Sequence, residues 1–168
     1  MSIVFGARAR EVGAQMTSSP LSVEAQGRIG LPQAEAFAYV TDAKRLPEWL
    51  PMCTNAIPDD TRAEQPGGVG SVRKIWAGTP KPTEETVVAF EPPFLYCYQA
   101  RDRDLFGMFK SHLSVITFEP HPSGDTVITW LSYGVPSKST VLHYLGLRVF
   151  GFVLRGGIRK LERRFPPR

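Results

Sequence analysis

Residues 31–51, LPQAEAFAYVTDAKRLPEWLP, carry the pattern from which the fold is read. Pro32 stands just before a helix start, and Ala36, Phe37 and Val40 form an apolar stripe at helical spacing. Asp42 ends that helix and anchors the next segment by side-chain to backbone hydrogen bonds. DAKRLPEWLP then reads as a second, brief helix that Pro51 stops. Trp49 and Leu50 are held between Pro47 and Pro51, either as a plug on one end of a core or as the rim of a pocket, where an amphipathic aromatic is useful.

Outward from this pair of helices the period changes. Upstream, residues 21–29 (LSVEAQGRI) alternate apolar with polar and then slip, as an edge strand does. Downstream, Met52 to Pro58 reads as a strand, followed by Val69 to Ala77, Thr83 to Glu91, Phe94 to Arg101, Phe109 to Glu119 and Thr126 to Gly134. Each run is rich in β-branched and aromatic residues, and each break carries Pro, Gly or Asp. Close spacing without intervening helices predicts an antiparallel meander. Ser137 or Ser139 can cap a final helix. On it Val141, Leu142, Leu145, Val149, Phe152 and Val153 lie on one broad face, continued by Ile158, Leu161 and Phe165. That face must bury itself against the sheet, and Gly156 with Gly157 invites a bend.

The totals suit one domain. A chain of 168 residues with 42 % apolar content buries enough surface to need no staple. Cys53 and Cys97 show no CxxC or Cys/His spacing, so zinc, iron-sulfur and thiol-redox chemistry are not indicated. No metal or cofactor is expected. The first twenty residues lack the charge and apolar run of a signal sequence, which predicts a cytoplasmic protein with a loose leader over residues 1–20 and a single domain over 21–168. From Arg148 onward seven basic residues face Glu162 alone. Such a tail complements a helix dipole and leaves room for weak contact with an acidic membrane. It lacks the interleaved aromatics that stack bases, so no nucleic-acid partner is expected.

Strand, two short helices, antiparallel strands and a long last helix is the order of the helix-grip fold. With LPQAEAFAYVTDAKRLPEWLP, PGGVGSVRKI, TEETVVAFEPPFLYCYQ and FEPHPSGDTVITW, the chain resembles the START-like, SRPBCC superfamily, and within it the polyketide cyclase/dehydrase type 2 group. The resemblance spans about Leu21 to Phe165. It implies an α+β domain, with a curved antiparallel sheet of six or seven strands, whose cavity between sheet and last helix admits an apolar or aromatic molecule. It does not imply one reaction, since the superfamily includes lipid and sterol carriers, hormone receptors, coenzyme Q binding proteins and aromatase/cyclases.

Trp49, Trp76, Tyr98, His112, Trp130, Tyr133, Leu145 and Phe152 are the candidate ligand-binding residues, as aromatic or apolar surface with a few polar handles. Core packing is the competing role for each. His112, mid-strand between Ser111 and Ser114, is either a ligand contact or general base, or a satisfied core histidine. With Tyr98 and Arg101 it forms the one set that ring closure or dehydration could use. Arg73 and Lys74 opposite Glu84 and Glu85 read as exposed cross-strand pairs. The expectation is a binder or carrier of a hydrophobic or aromatic molecule (lipid, polyketide or quinone-like), monomeric or homodimeric; the alternative is an aromatase/cyclase- or dehydratase-like enzyme.

Overall fold

The computed structural model describes residues 5–78, 80–100, 109–136 and 140–168. After a helix α1 (Ala7–Met16) come β1 (Leu21–Ile29), α2 (Gln33–Thr41), a 3-10 turn (Ala43–Arg45) and α3 (Leu46–Trp49). Six further strands follow: β2 (Asn55–Asp59), β3 (Val72–Trp76), β4 (Thr83–Glu91), β5 (Leu95–Ala100), β6 (Phe109–Pro120) and β7 (Thr126–Pro136). The last helix, α4, runs over Thr140–Arg164. The strands form one antiparallel sheet of seven in the order β1-β7-β6-β5-β4-β3-β2. This is the helix-grip architecture: the meander is as expected, and β1 closes on β7, with Ala25 opposite Trp130.

Pro32 precedes α2, and the Asp42 side chain accepts from the Lys44 backbone N–H to start the 3-10 turn. Pro47 occupies the first turn of α3, where its missing N–H costs nothing. Met52 then takes a left-handed backbone with φ 65°. That reversal is why β2 begins at Asn55 and not at Met52 as the sequence suggests.

Period-two alternation sorts the sheet into two faces. The inner face, which α2, α3 and α4 cover, carries Val87, Tyr96, Tyr98, Ile116, Phe118, Ile128 and Trp130, packed with Trp49, Leu154, Ile158 and Leu161. Burying each such side chain contributes about 1.5–3 kcal/mol. The outer face carries Leu95, Cys97, Leu113, Val115, Leu131 and Tyr133, and Ala9 of α1 packs on it. The segment read as a loose leader thus contains an ordered helix. It sits there because Gly13 lets it close on Tyr133: a Cβ at position 13 would stand 2.2 Å from the Tyr133 hydroxyl.

The glycines of α4 also serve close approach. The helix runs from Thr140 to Arg164 as one element, continuous through Gly156 and Gly157. A Cβ at Gly157 would meet the Trp49 ring at 3.2 Å, and one at Gly156 would meet Pro51 at 2.8 Å. The Pro-bracketed connector is therefore docked on α4 at its glycines. Ser137 and Ser139, the expected caps, lie outside the described residues.

Candidate functional site

Between the inner face and α4 lies a cavity of about 320 Å3. Its walls come from three sources: Leu46, Trp49 and Pro51 of the connector, Ile75, Tyr98 and Trp130 of the sheet, and Val149, Phe150, Val153 and Leu154 of α4. Trp49 and Trp130 meet edge to face with ring centres 5.8 Å apart. Plug and rim, the two readings of the connector, describe one place. Trp49 is buried, whereas Met52, 55 % exposed, marks where the wall reaches solvent.

One charged pair interrupts this apolar lining. Arg73 of β3 and Glu85 of β4 face each other across the strands, and Arg73 Nη2 donates to Glu85 Oε2 at 2.5 Å. The Arg73 side chain is buried and that of Glu85 is nearly so. The Arg73 guanidinium also lies over two rings, 4.1 Å from the centre of Tyr98 and 5.1 Å from that of Tyr96. Burial opposes the Arg73 charge, but the Tyr96 oxygen and Glu85 outweigh it, so the guanidinium holds its proton more firmly than usual. Burial lifts the Glu85 carboxyl above its ordinary range against the pull of Arg73. Three N–H donors of wall residues, Trp49 Nε1, Trp130 Nε1 and Arg73 Nε, are buried without a hydrogen-bond partner among the described residues.

Next to the pair runs a polar chain inside the sheet. The Tyr98 hydroxyl bonds Ser114, Ser114 Oγ stands 3.3 Å from His112 Nε2, and His112 Nε2 stands 2.9 Å from Ser132 Oγ. His112 sits beside two wall residues, with ring centres 5.0 Å from Phe150 and 6.1 Å from Tyr98. Burial, helped by the nearby Arg73 charge, pushes its imidazole down to about 3. Burial raises the Tyr98 phenol and pushes the Cys53 thiol up to about 11. At neutral pH the site therefore offers a fixed cation, neutral hydroxyls and a neutral imidazole on an apolar wall. It has no thiolate nucleophile. Among the described residues no group of His, Cys, Asp and Glu is placed to hold a metal ion, and no helix is long and apolar enough to cross a membrane.

The model of the family described as polyketide cyclase / dehydrase and lipid transport matches residues 20–165. The chain belongs to this family. It is thereby an SRPBCC-type protein, and solved structures agree on the fold. The protein XoxI from Bacillus cereus superposes with a TM-score of 0.69 at 15 % identity, covering 85 % of this chain and 94 % of that one. Ara h 8.0201 superposes at 0.62 and 18 % identity over 84 % and 94 %. The di-domain ARO/CYC StfQ of the steffimycin biosynthetic pathway superposes at 0.65 and 16 % identity, over 94 % of this chain and 53 % of its own. No curated protein sequence matches the chain.

In this family member the structure gathers some of the expected ligand residues and disperses others. Trp49, Tyr98 and Trp130 line the cavity, and His112 stands beside its wall. Tyr133 does not belong there: three residues along β7 from Trp130, it points to the opposite face and packs under α1. Trp76 alternates away from the wall residue Ile75 in the same manner. Leu145 and Phe152 lie on the solvent side of α4, both more than half exposed, while Val149, Phe150, Val153 and Leu154 form the wall. Arg101 lies outside the described residues.

The sequence reading missed the Arg73–Glu85 pair as a site feature by taking it for an exposed one. The signal was present in register: Arg73 alternates with Ile75, and Glu85 with Val87, both apolar. A charge in phase with apolar neighbours on each of two adjacent strands marks a buried pair.

Proposed function

We propose that the chain binds an apolar or aromatic small molecule carrying acceptor oxygens, in the cavity between the sheet and α4. The observation that carries this reading is a cavity walled by Trp49, Trp130, Ile116, Val149 and Val153 and broken by one buried pair, Arg73–Glu85. Such a lining extracts an apolar body from water and orients it by a few polar contacts. A ligand oxygen beside Arg73 would meet a fixed cation on an otherwise apolar wall, which orients it. The family's breadth, cyclases and lipid transport together, supports the class of ligand and leaves its identity open. The test is native mass spectrometry of the purified chain beside a denatured extract. A stoichiometric apolar adduct that Arg73→Met loses supports the reading; an adduct that Arg73→Met retains in full, or that proves water-soluble and ionic, overturns it.

A second reading, a cyclase- or dehydratase-like enzyme, is favoured by the Tyr98–Ser114–His112–Ser132 chain, which joins a wall hydroxyl to a neutral imidazole. Tyr98 would exchange the proton with substrate, and His112 would position it through Ser114. On that reading Tyr98→Phe abolishes turnover of a polyketide-type substrate while leaving its binding intact. Equal turnover by Tyr98→Phe and the parent chain removes it.

A further inference from the structure

The solvent side of α4 is not an ordinary polar helix face. Val141, Leu145 and Phe152 stand 77 %, 53 % and 63 % exposed, with Tyr144 beside them. At the same helical phase follow Arg148, Arg155, Arg159 and Arg163, all exposed. None of these arginines has a carboxylate at ion-pair distance among the described residues; Arg148 instead lies over the Tyr144 ring, 5.6 Å from its centre. By contrast, Arg164, one residue round the helix, pairs with Glu48 at 2.8 Å. From position 148 to 163 the unpaired charges run along about 22 Å of helix, all of one sign.

We propose that this face of α4 docks on an anionic lipid bilayer, with Val141, Leu145 and Phe152 seated at the headgroup boundary and the arginines on the headgroups. A helix with apolar and cationic residues on one outward stripe is the pattern of an interfacial helix. Charge complementarity selects anionic lipid, since each cation near such a surface adds attraction that zwitterionic lipid does not supply. A bilayer suits this shape better than an acidic protein, because a single convex helix offers no groove for a partner and lipid requires none. The place is also apt. Val149 and Val153, on the same helix, line the cavity, and exposed Met52 stands at its edge. An apolar ligand would therefore leave or enter the bilayer beside the docked face. That purpose rests on the ligand-binding reading, while the docking itself does not.

The experiment is flotation of the full chain with phosphatidylcholine vesicles, with and without about 30 % phosphatidylglycerol. We expect at least about tenfold stronger partition onto the anionic vesicles, declining as salt is raised to about 0.5 M. Arg155→Glu with Arg159→Glu should abolish it, and Leu145→Ser with Phe152→Ser should weaken it several-fold at low salt. Lys44→Glu with Arg62→Glu, an equal charge change elsewhere, should float as the parent does. All these side chains are exposed, so circular dichroism melts should show unchanged folding. Equal partition onto both vesicle types overturns the proposal, and so does parental binding by the Arg155/Arg159 pair. If charge matters but the Leu145/Phe152 pair floats as the parent does, the arginines hold the face on the headgroups by charge alone, and the seating of Leu145 and Phe152 at the headgroup boundary is overturned. Val153→Phe, which projects into the cavity, should float normally, so that loss of ligand binding and loss of docking remain separate results.

Discussion

The Arg73 guanidinium lies 4.1 Å from the centre of the Tyr98 ring, inside a domain whose other cavity walls are almost wholly apolar. An ion held there has given up its hydration, and only its immediate neighbours replace it. Glu85 supplies the counter-charge, and Tyr96 and Tyr98 supply ring faces. Such a pair is costly to break and adds little to stability when compared with apolar residues of the same volume.

The single variants should therefore behave differently from the double one. Glu85→Gln leaves the arginine charge buried without its partner, and we expect a loss of about 3–5 kcal/mol in urea unfolding. Arg73→Met leaves a buried carboxyl that can escape by taking a proton. With burial alone acting on Glu85, its folded value climbs further above the unfolded one, so the folded state binds the extra proton. Stability of Arg73→Met should then fall as pH rises from about 5 to 8. The double variant Arg73→Met with Glu85→Leu should lie within about 1 kcal/mol of the parent, or above it. A double variant as unstable as Glu85→Gln would show that the pair itself holds the sheet.

His112 sets a second pH dependence of opposite sign. Its folded value is depressed to about 3 by burial and the Arg73 charge, whereas the unfolded imidazole titrates near about 6.5. Between those values the unfolded chain holds the extra proton, so stability is lost as pH falls through the window. The loss between pH 7 and pH 5 should be about 2 kcal/mol. Glu85, being raised, works against this trend at the acid end. The comparison is therefore with His112→Gln, whose unfolding free energy should change less over the same interval. Equal slopes for the two chains would mean that the folded imidazole takes up its proton over the same pH range as the unfolded one, so that burial does not depress it.

Gly13 and Tyr133 give a third test, directed at the element the sequence reading left unstructured. A methyl at position 13 would occupy the place of the Tyr133 hydroxyl, so Gly13→Ala must push α1 off the outer face or tilt the ring. Overpacking of this kind costs about 1–3 kcal/mol. Hydrogen exchange should report it as faster exchange over residues 7–16 with the sheet unchanged. Tyr133→Leu, which removes the ring together with its oxygen, should restore part of the protection. Unaltered exchange in Gly13→Ala would mean that α1 does not rest on Tyr133.

What could be read from the chain was whatever one period fixes. The strands alternate cleanly enough that Thr83–Glu91 was bounded at both ends, and the Pro-bracketed connector stood out because no helix continues through it. Which side of a strand faces inward is a property of the assembled sheet. A consistent choice was nevertheless available: Trp130 and Tyr133 are an odd number of residues apart, so they could not both line one cavity. The face read on α4 joined Val141, Leu145 and Phe152, which the structure leaves exposed, to Val149 and Val153, which line the cavity. Counting back from Ile158 and Leu161 in steps of three and four reaches Leu154 and Phe150, which the structure places inward. The helix α1 was illegible for a different reason. Its apolar residues are few and small, and the groups that place it lie far along the chain: the outer face under Ala9, the Tyr133 ring against Gly13, and Glu24 and Glu91, which pair with Arg10 and Arg8.

The last prediction separates a cavity from a packed core within α4. Val153 lines the cavity, while Leu161, two turns on, is fully buried among its neighbours. A larger side chain at the two positions should have unequal effects. Leu161→Phe has no free volume to enter, so it must displace neighbours at about 1–3 kcal/mol. Val153→Phe adds four carbons beside a space of about 320 Å3, and its added apolar area should offset most of any strain, leaving stability within about 1 kcal/mol of the parent. The same variant should lose an apolar probe that quenches the fluorescence of Trp49 and Trp130, because it stands where the probe would lie. If Val153→Phe is destabilised as much as Leu161→Phe, the interior closes in solution and the ligand-binding reading loses its container. If it is stable yet still quenches as the parent does, the probe binds elsewhere on the chain.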